Sequence, residues 1–226
     1  ETRIVDGWVK ANGTTLGADN GVGAAAAMAV LEDNTLVHGP IEALFTIDEE
    51  TGMTGANALE PGVLKGDILI NTDSETEGEL YVGCAGGIDT CGYFTPKFEE
   101  VPAGSKAFQF IVKGLKGGHS GMDIILGRAN ANKVMNALLL KATEKFNARV
   151  ADIQGGSLRN AIPRESFVTV TVPENKAEEL VAFVAEFEAL VKEQFAAVEP
   201  EMSITVVPAE MPAKVIDKQT IANLIE

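Results

Sequence analysis

The sequence predicts an α/β chain of two units, one over residues 1–87 and a second, α+β unit over 88–226. Three observations carry that prediction. Short apolar runs alternate with a helical run before residue 87. From Lys106 onward the elements follow the order β-α-β-β-α-β. Between the two, glycines crowd the stretch 83–92. The first pattern suits a covered parallel sheet, and the second is the split βαβ arrangement of ferredoxin-like units.

Each element has its own local reason. Asn20 is a capping residue placed before the Ala-rich run 22–31, which is long and unbranched enough for a buried helix. Residues 41–47 read as a short, mostly buried strand ending in Asp48, Glu49 and Glu50. After the turn-rich Glu60-Pro61-Gly62, residues 67–71 read as a second apolar strand that stops at another acid, Asp73. In the second unit Phe108, Phe110 and Val112 alternate as a strand does. Val134, Leu138 and Ala142 recur on one face of a helix over 129–146. Strands at 149–153 and 166–172, a long amphipathic helix from Glu174 to about Val198 and a strand at 202–207 complete the unit. Residues 216–226 look like the opening turns of another helix, interrupted mid-pattern, and this suggests a piece of a longer protein.

Composition narrows the function. The 226 residues carry 18 basic and 33 acidic side chains, a net charge of −15, which repels a phosphate backbone and an anionic membrane alike. Neither nucleic acid nor a membrane is an expected partner. Apolar residues make up 46% and charged ones 23%, so the chain is too apolar for a disordered acidic tail. The longest uncharged apolar run, 22–31, falls far short of the roughly 20 residues that span a bilayer. The two cysteines, Cys84 and Cys91, match no zinc-knuckle spacing, and reduced thiols in a cytoplasm are the simplest reading.

The acids are placed informatively. Asp19 precedes a helix, while the Asp48-Glu49-Glu50 cluster and Asp73 follow apolar strands, and the carboxyl edge of an open α/β sheet is where ligands bind. One acid at a strand end is ordinarily a solvated loop residue. Acids in three separate loops favour a site, because gathered carboxylates repel one another and call for a cation. Several ready-made motifs fail on the letters. Residues 73–78 imitate a calcium loop, but position twelve falls on Cys84 instead of a bidentate Glu. Gly21-Val-Gly23-Ala-Ala-Ala26 fits a loose dinucleotide fingerprint and keeps a nicotinamide oxidoreductase open as an alternative, although no convincing apolar strand precedes it. Gly118-His119-Ser120-Gly121 is not a nucleophile elbow; its glycines turn the chain and present the imidazole at a loop tip. His38 reads as structural, and Asn160 reads equally well as a turn residue.

Leu16-Gly-Ala-Asp19-Asn-Gly-Val-Gly23, Thr46-Ile-Asp-Glu-Glu-Thr-Gly52, Asn71-Thr-Asp-Ser-Glu75 and Gly117-Gly-His-Ser-Gly121 together resemble the di-zinc metallopeptidases that include carboxypeptidase G and succinyl-diaminopimelate desuccinylase. Residues 79–87 and 155–163 are most similar to the dipeptidase branch of that family, whose substrates are Xaa-His dipeptides. The resemblance implies an α/β/α catalytic domain, of which 1–87 is a fragment, followed by a ferredoxin-like lid over 88–226 that is incomplete at its C-terminal end. It implies two zinc ions, with other divalent cations open. Asp19 would bridge the ions, and Glu50 and Asp73 would each be a terminal ligand of one. Glu49 would be the general base that takes a proton from water and hands it to the leaving amine. His119 and Asn160 would reach the scissile carbonyl and the substrate, in this family often across a dimer, which leaves a homodimer open. One such donor to an oxyanion contributes roughly 3 kcal/mol.

The chain departs from the family pattern in its histidines. Each zinc in that family also takes an imidazole, one from an upstream His-x-Asp segment and one near the carboxyl terminus, and His38 and His119 fit neither. An oxygen-only set holds zinc poorly. The chain is therefore expected to be an internal piece that holds metal weakly or not at all and has little or no peptidase activity alone. A non-catalytic dimerisation or regulatory module of the same fold is the first alternative, and a deacylase or carboxypeptidase of the family differs only in its pocket.

Overall fold

A computed structural model describes residues 1–14, 16–74, 76–84 and 86–225. The chain divides into two compact units, 1–89 and 90–226.

The first unit opens with an antiparallel hairpin that sequence reasoning passed over. Strands β1 (Thr2–Val5) and β2 (Trp8–Ala11) pair Val5 with Trp8 and Thr2 with Ala11. Asp6 and Gly7 form the turn with positive φ at both positions, as an Asp-Gly dipeptide between apolar runs favours. Helix α1 (Gly21–Glu32) starts where expected, because the Asn20 side chain accepts the Gly23 N–H at 2.8 Å. A single turn of helix, α2 (Thr54–Asn57), follows.

The strands expected at 41–47 and 67–71 are not formed: among the described residues both stretches run without ladder partners. Every ladder described is antiparallel, so the covered parallel sheet expected here is not built from these residues. The reason is pairing. A strand persists only where a neighbour takes its backbone groups, and a fully buried strand also needs cover on both faces. Here Ile68 is 83% exposed and Leu69 82%. What links the two stretches is a side chain: the Glu42 carboxylate accepts the N–H groups of Lys65 at 2.8 Å and Gly66 at 2.9 Å.

The second unit has the expected topology. Strand β3 (Phe98–Glu100) leads in, followed by β4 (Ser105–Lys113), the short β5 (Gly118–His119) and helix α3 (Ala131–Phe146). Then come β6 (Arg149–Gly155), β7 (Ala161–Ile162), β8 (Ser166–Pro173), helix α4 (Ala177–Phe195), β9 (Ser203–Pro208), β10 (Lys214–Ile216) and helix α5 (Lys218–Ile225). Four strands form an antiparallel sheet in the order β6-β8-β4-β9, with a bulge in β6 between Val150 and Asp152. Register places Phe110 between Val168 and Val206, in the middle of the sheet.

The core follows from alternation meeting helical period. Phe108, Phe110 and Val112 of β4 join Val168, Val170 and Val172 of β8 in one cluster with Val134, Leu138 and Ala142 of α3 and Leu180 and Val184 of α4. Helix α3 is capped by Asn130, which accepts the N–H groups of Asn132 and Lys133, and ends at Asn147 in the left-handed region. The helix expected at the C-terminal end is present as α5. Asp217 caps it, and Ile221 and Ile225 are buried in the same core. Strand β3 pairs with β10, so the strand that opens the unit lies beside the one that leads into α5. Arg149 braces that pair by an ion pair to Glu99 at 2.7 Å and a bond to the Ile216 carbonyl at 3.2 Å.

Candidate functional site

Two clusters of candidate residues occur, one in each unit. In the first unit Asn20 does double duty. While its oxygen caps α1, its Nδ2 donates to the Thr72 carbonyl at 2.8 Å and holds the 19–23 turn against 71–73. Gly23 is the buried residue at this contact, where a Cβ would collide with Thr72 Oγ1 and lie 2.6 Å from Asn20 Nδ2. Asp19 and Asp73 thus sit on segments in direct contact. Asp73 is oriented further by its own N–H, which donates to Asn71 Oδ1 at 2.7 Å. Gly23 serves this packing, and no strand runs into α1 among the described residues, so the strand-turn-helix unit a dinucleotide needs is not formed there.

Glu49 and Glu50 ride on a separate turn organised by Asp48, a residue the sequence reading grouped with them. The Asp48 carbonyl accepts the N–H of Gly52 at 3.2 Å and of Met53 at 2.6 Å, and its carboxylate accepts the Thr54 hydroxyl at 2.6 Å. Asp48 is therefore committed to the turn, leaving the two glutamates exposed. Among the described residues no three His, Cys, Asp or Glu side chains gather into a group able to hold a metal ion. Asp19, Glu50 and Asp73 offer exposed oxygen donors alone, a set that holds zinc weakly until imidazole ligands join it. Glu75, the last letter of one motif, lies outside the described residues. Cys84 and Cys91 are free and exposed.

In the second unit the structure brings together two residues 41 positions apart in the sequence numbering. Strands β5 and β7 pair His119 with Ala161, and the Ser120 N–H donates to the Asn160 carbonyl at 2.8 Å. Asn160, expected from the resemblance to reach the substrate and from its letters equally a turn residue, is the immediate neighbour of the histidine loop. The imidazole is oriented by its own backbone: Nδ1 accepts the N–H of Gly121 at 3.0 Å and of Met122 at 3.2 Å. Two donors onto Nδ1 leave that nitrogen unprotonated, so the ring proton sits on Nε2, a donor on an exposed side chain.

The glycines around it are sites of close approach. At Gly118, with φ +132°, a Cβ would meet the Asp123 carboxylate and Arg128; at Gly121 it would lie 3.2 Å from the imidazole. Asp123 accepts the His119 N–H at 2.8 Å, and Arg128 donates to the Gly117 carbonyl at 2.6 Å. A groove of about 880 Å³ adjoins the corner, lined among others by Ser120, Arg128, Asn132, Leu158 and Phe187. It combines an apolar floor with a few convergent polar groups, the composition of a small-molecule site.

Residues 110–199 match a family described as a peptidase dimerisation domain. The chain is 50% identical over 201 residues to the cytosol non-specific dipeptidase of Escherichia coli strain K12, covering 88% of this chain and 41% of that protein. Residues 110–199 thus carry the dimerisation domain of the M20 peptidases. A crystal structure of aminoacylhistidine dipeptidase from Vibrio alginolyticus superposes on this chain with a TM-score of 0.72 at 43% identity, covering all of this chain and 46% of that one. An uncharacterized protein of Bacillus subtilis strain 168, YqjE, is 26% identical over 213 residues, covering 89% of this chain and 53% of that protein. The chain thus spans about two fifths to one half of the length of these relatives. Within the M20 frame, the four-stranded sheet with α3 and α4 is the ferredoxin-like lid unit.

Proposed function

We propose that this chain is part of a metal-dependent dipeptidase that hydrolyses short peptides of the Xaa-His type. The observation that carries the reading is the His119–Asn160 corner: an exposed imidazole with its proton fixed on Nε2, beside Asn160 and a groove roomy enough for a short peptide. A donor fixed in advance is what an oxyanion requires, since nothing need reorganise as charge develops. The 50% identity to a cytosol dipeptidase supports dipeptide hydrolysis and a cytoplasmic location, and the likeness to aminoacylhistidine dipeptidase supports the Xaa-His class. In this proposal Asp19, Glu50 and Asp73 are the ligand carboxylates for a pair of zinc ions and Glu49 carries the proton. His119 and Asn160 bind and orient the substrate, and the dimerisation domain joins two copies. A bound divalent cation would supply an activated water at neutral pH. The acids are not gathered here, and no further step is assigned to it.

Assay of dipeptide hydrolysis tests the reading, comparing the 226-residue chain with a protein extended at both ends by its neighbouring coding sequence. The extended protein is expected to cleave Xaa-His dipeptides, to lose activity to a chelator and to regain it with zinc, while the 226-residue chain shows little or none. Cleavage indifferent to chelation overturns the metal assignment. Absence of cleavage by the extended protein favours a second reading, a non-catalytic dimerisation module, for which the ungathered acids speak.

A further inference from the structure

We infer that Glu199 is the positioning residue of His119, a carboxylate clasp that closes the neck of the loop carrying the imidazole. Its relevance to catalysis rests on the reading of His119 given above, whereas the clasp itself rests on geometry.

Glu199 lies just beyond α4 and is 2% exposed, the one charged side chain buried among the described residues. Isolated burial of a carboxylate is costly, and no ion pair reaches this one among the described residues. Two backbone donors satisfy it. Oε2 accepts the Lys116 N–H at 2.8 Å, and Oε1 accepts the Ala129 N–H at 3.1 Å. These donors are 83 and 70 residues away in sequence and stand at the two ends of the excursion 117–128. The local contacts of the imidazole lie inside that excursion, which β7 pairs from outside: Gly117 and Gly118, His119 itself, the N–H groups of Gly121 and Met122, and the Asp123–Arg128 brace.

The support for Glu199 is rigid as well. Its N–H donates to the Phe195 carbonyl at 2.8 Å and its carbonyl accepts the Met202 N–H at 3.2 Å, fixing the turn between α4 and β9. That turn presses on Gly114, at φ +79°, where a Cβ would collide with the Glu201 carbonyl. The clasp is thereby referenced to the sheet. Only a carboxylate serves both donors, because it presents two acceptor oxygens. A glutamine of the same shape offers one acceptor and turns an NH₂ group toward the other N–H, which breaks one side of the neck.

The test uses the 226-residue chain, amide hydrogen exchange and the ¹⁵N shifts of the His119 ring. In Glu199→Gln, amides within 117–128 should exchange at least about tenfold faster while those of Phe110 and Val168 stay within about twofold, since opening a neck is a local event. The Nε2–H signature of His119 should collapse toward the tautomer mixture of a free imidazole. Unchanged exchange in 117–128, an unchanged ring signature, or a uniform rise across the sheet overturns the clasp. Should Glu199→Gln fail to fold, the wild-type chain decides. Lys116 and Ala129 amides protected within about tenfold of the core support the clasp, and exchange at the rate of open-loop amides overturns it. No hydrolysis enters these readouts, so a failed clasp and a failed dipeptidase reading give different results.

Discussion

Nδ1 of His119 accepts the N–H of Gly121 at 3.0 Å, so the loop chooses the tautomer before any substrate arrives. The contact is local in sequence yet depends on distant pairing, because the β5–β7 ladder turns the backbone so that residues 121 and 122 fold back over the ring.

Replacement of Gly121 by alanine tests that contact. Its Cβ would lie 3.2 Å from both Nδ1 and Cε1 of the imidazole, tighter than ordinary van der Waals contact. The ring must shift, and its ¹⁵N spectrum should lose the single protonated nitrogen while the melting temperature moves little, within roughly 1 kcal/mol.

His119→Ala removes the donor itself. In the extended protein kcat should fall roughly 10²–10³-fold with the fold unchanged, as loss of one oxyanion donor does. Circular dichroism of the variant checks the fold. A fall of less than about threefold would remove His119 from the reaction.

Gly23→Ala separates the segments bearing Asp19 and Asp73, since its Cβ would collide with Thr72. A cost of about 1–3 kcal/mol is expected within the first unit, read as faster exchange of the Gly23 amide and quicker proteolysis near residue 72, with the second unit's sheet undisturbed.

Truncation in the second core should be severe. Leu138→Ala, fully buried on α3 against the sheet, should cost about 2–5 kcal/mol, whereas Leu190→Ala on the exposed side of α4 should stay within about 0.5 kcal/mol. Denaturant melts of the two variants make the comparison.

Acid should loosen the edge of the sheet. Burial works against the charged form of Glu188, but the Lys192 ammonium at 2.9 Å and the Ile204 N–H at 3.1 Å outweigh it and hold the carboxyl below its ordinary value of 4.5. A group lowered on folding stabilises above its unfolded pKa and loses that contribution as pH falls through the folded one. Melting curves of wild type and Glu188→Gln should therefore differ by a constant amount above pH 4.5 and converge below it.

The second unit was legible because its signals are local. Alternation at Phe108, Phe110 and Val112 and the helical recurrence of Val134, Leu138 and Ala142 each report a buried face without reference to the rest of the chain. The strands expected at 41–47 and 67–71 rested on apolar runs alone, and an apolar run becomes a strand only when a neighbour takes its backbone groups. The β1–β2 hairpin was overlooked although Asp6-Gly7 between Ile4-Val5 and Trp8-Val9 announces it. At the site, His119 and Asn160 were each recognised from their motifs, but nothing in either stretch reports that β5 pairs with β7. Glu199 left no mark at all: an acid after an amphipathic helix reads as solvated, and its partners are supplied by chain 70 and 83 residues earlier.

Because Phe98–Glu100 runs beside Lys214–Ile216, the stretch 101–213 begins and ends at one seam. Holding two distant points of a chain together costs least entropy when a ladder already pairs them, so this seam shuts a long stretch into a closed loop at little cost. The histidine corner, the clasp beneath it and the sheet that supports both all lie between those two strands, with Ile221 and Ile225 closing the core from just beyond the seam.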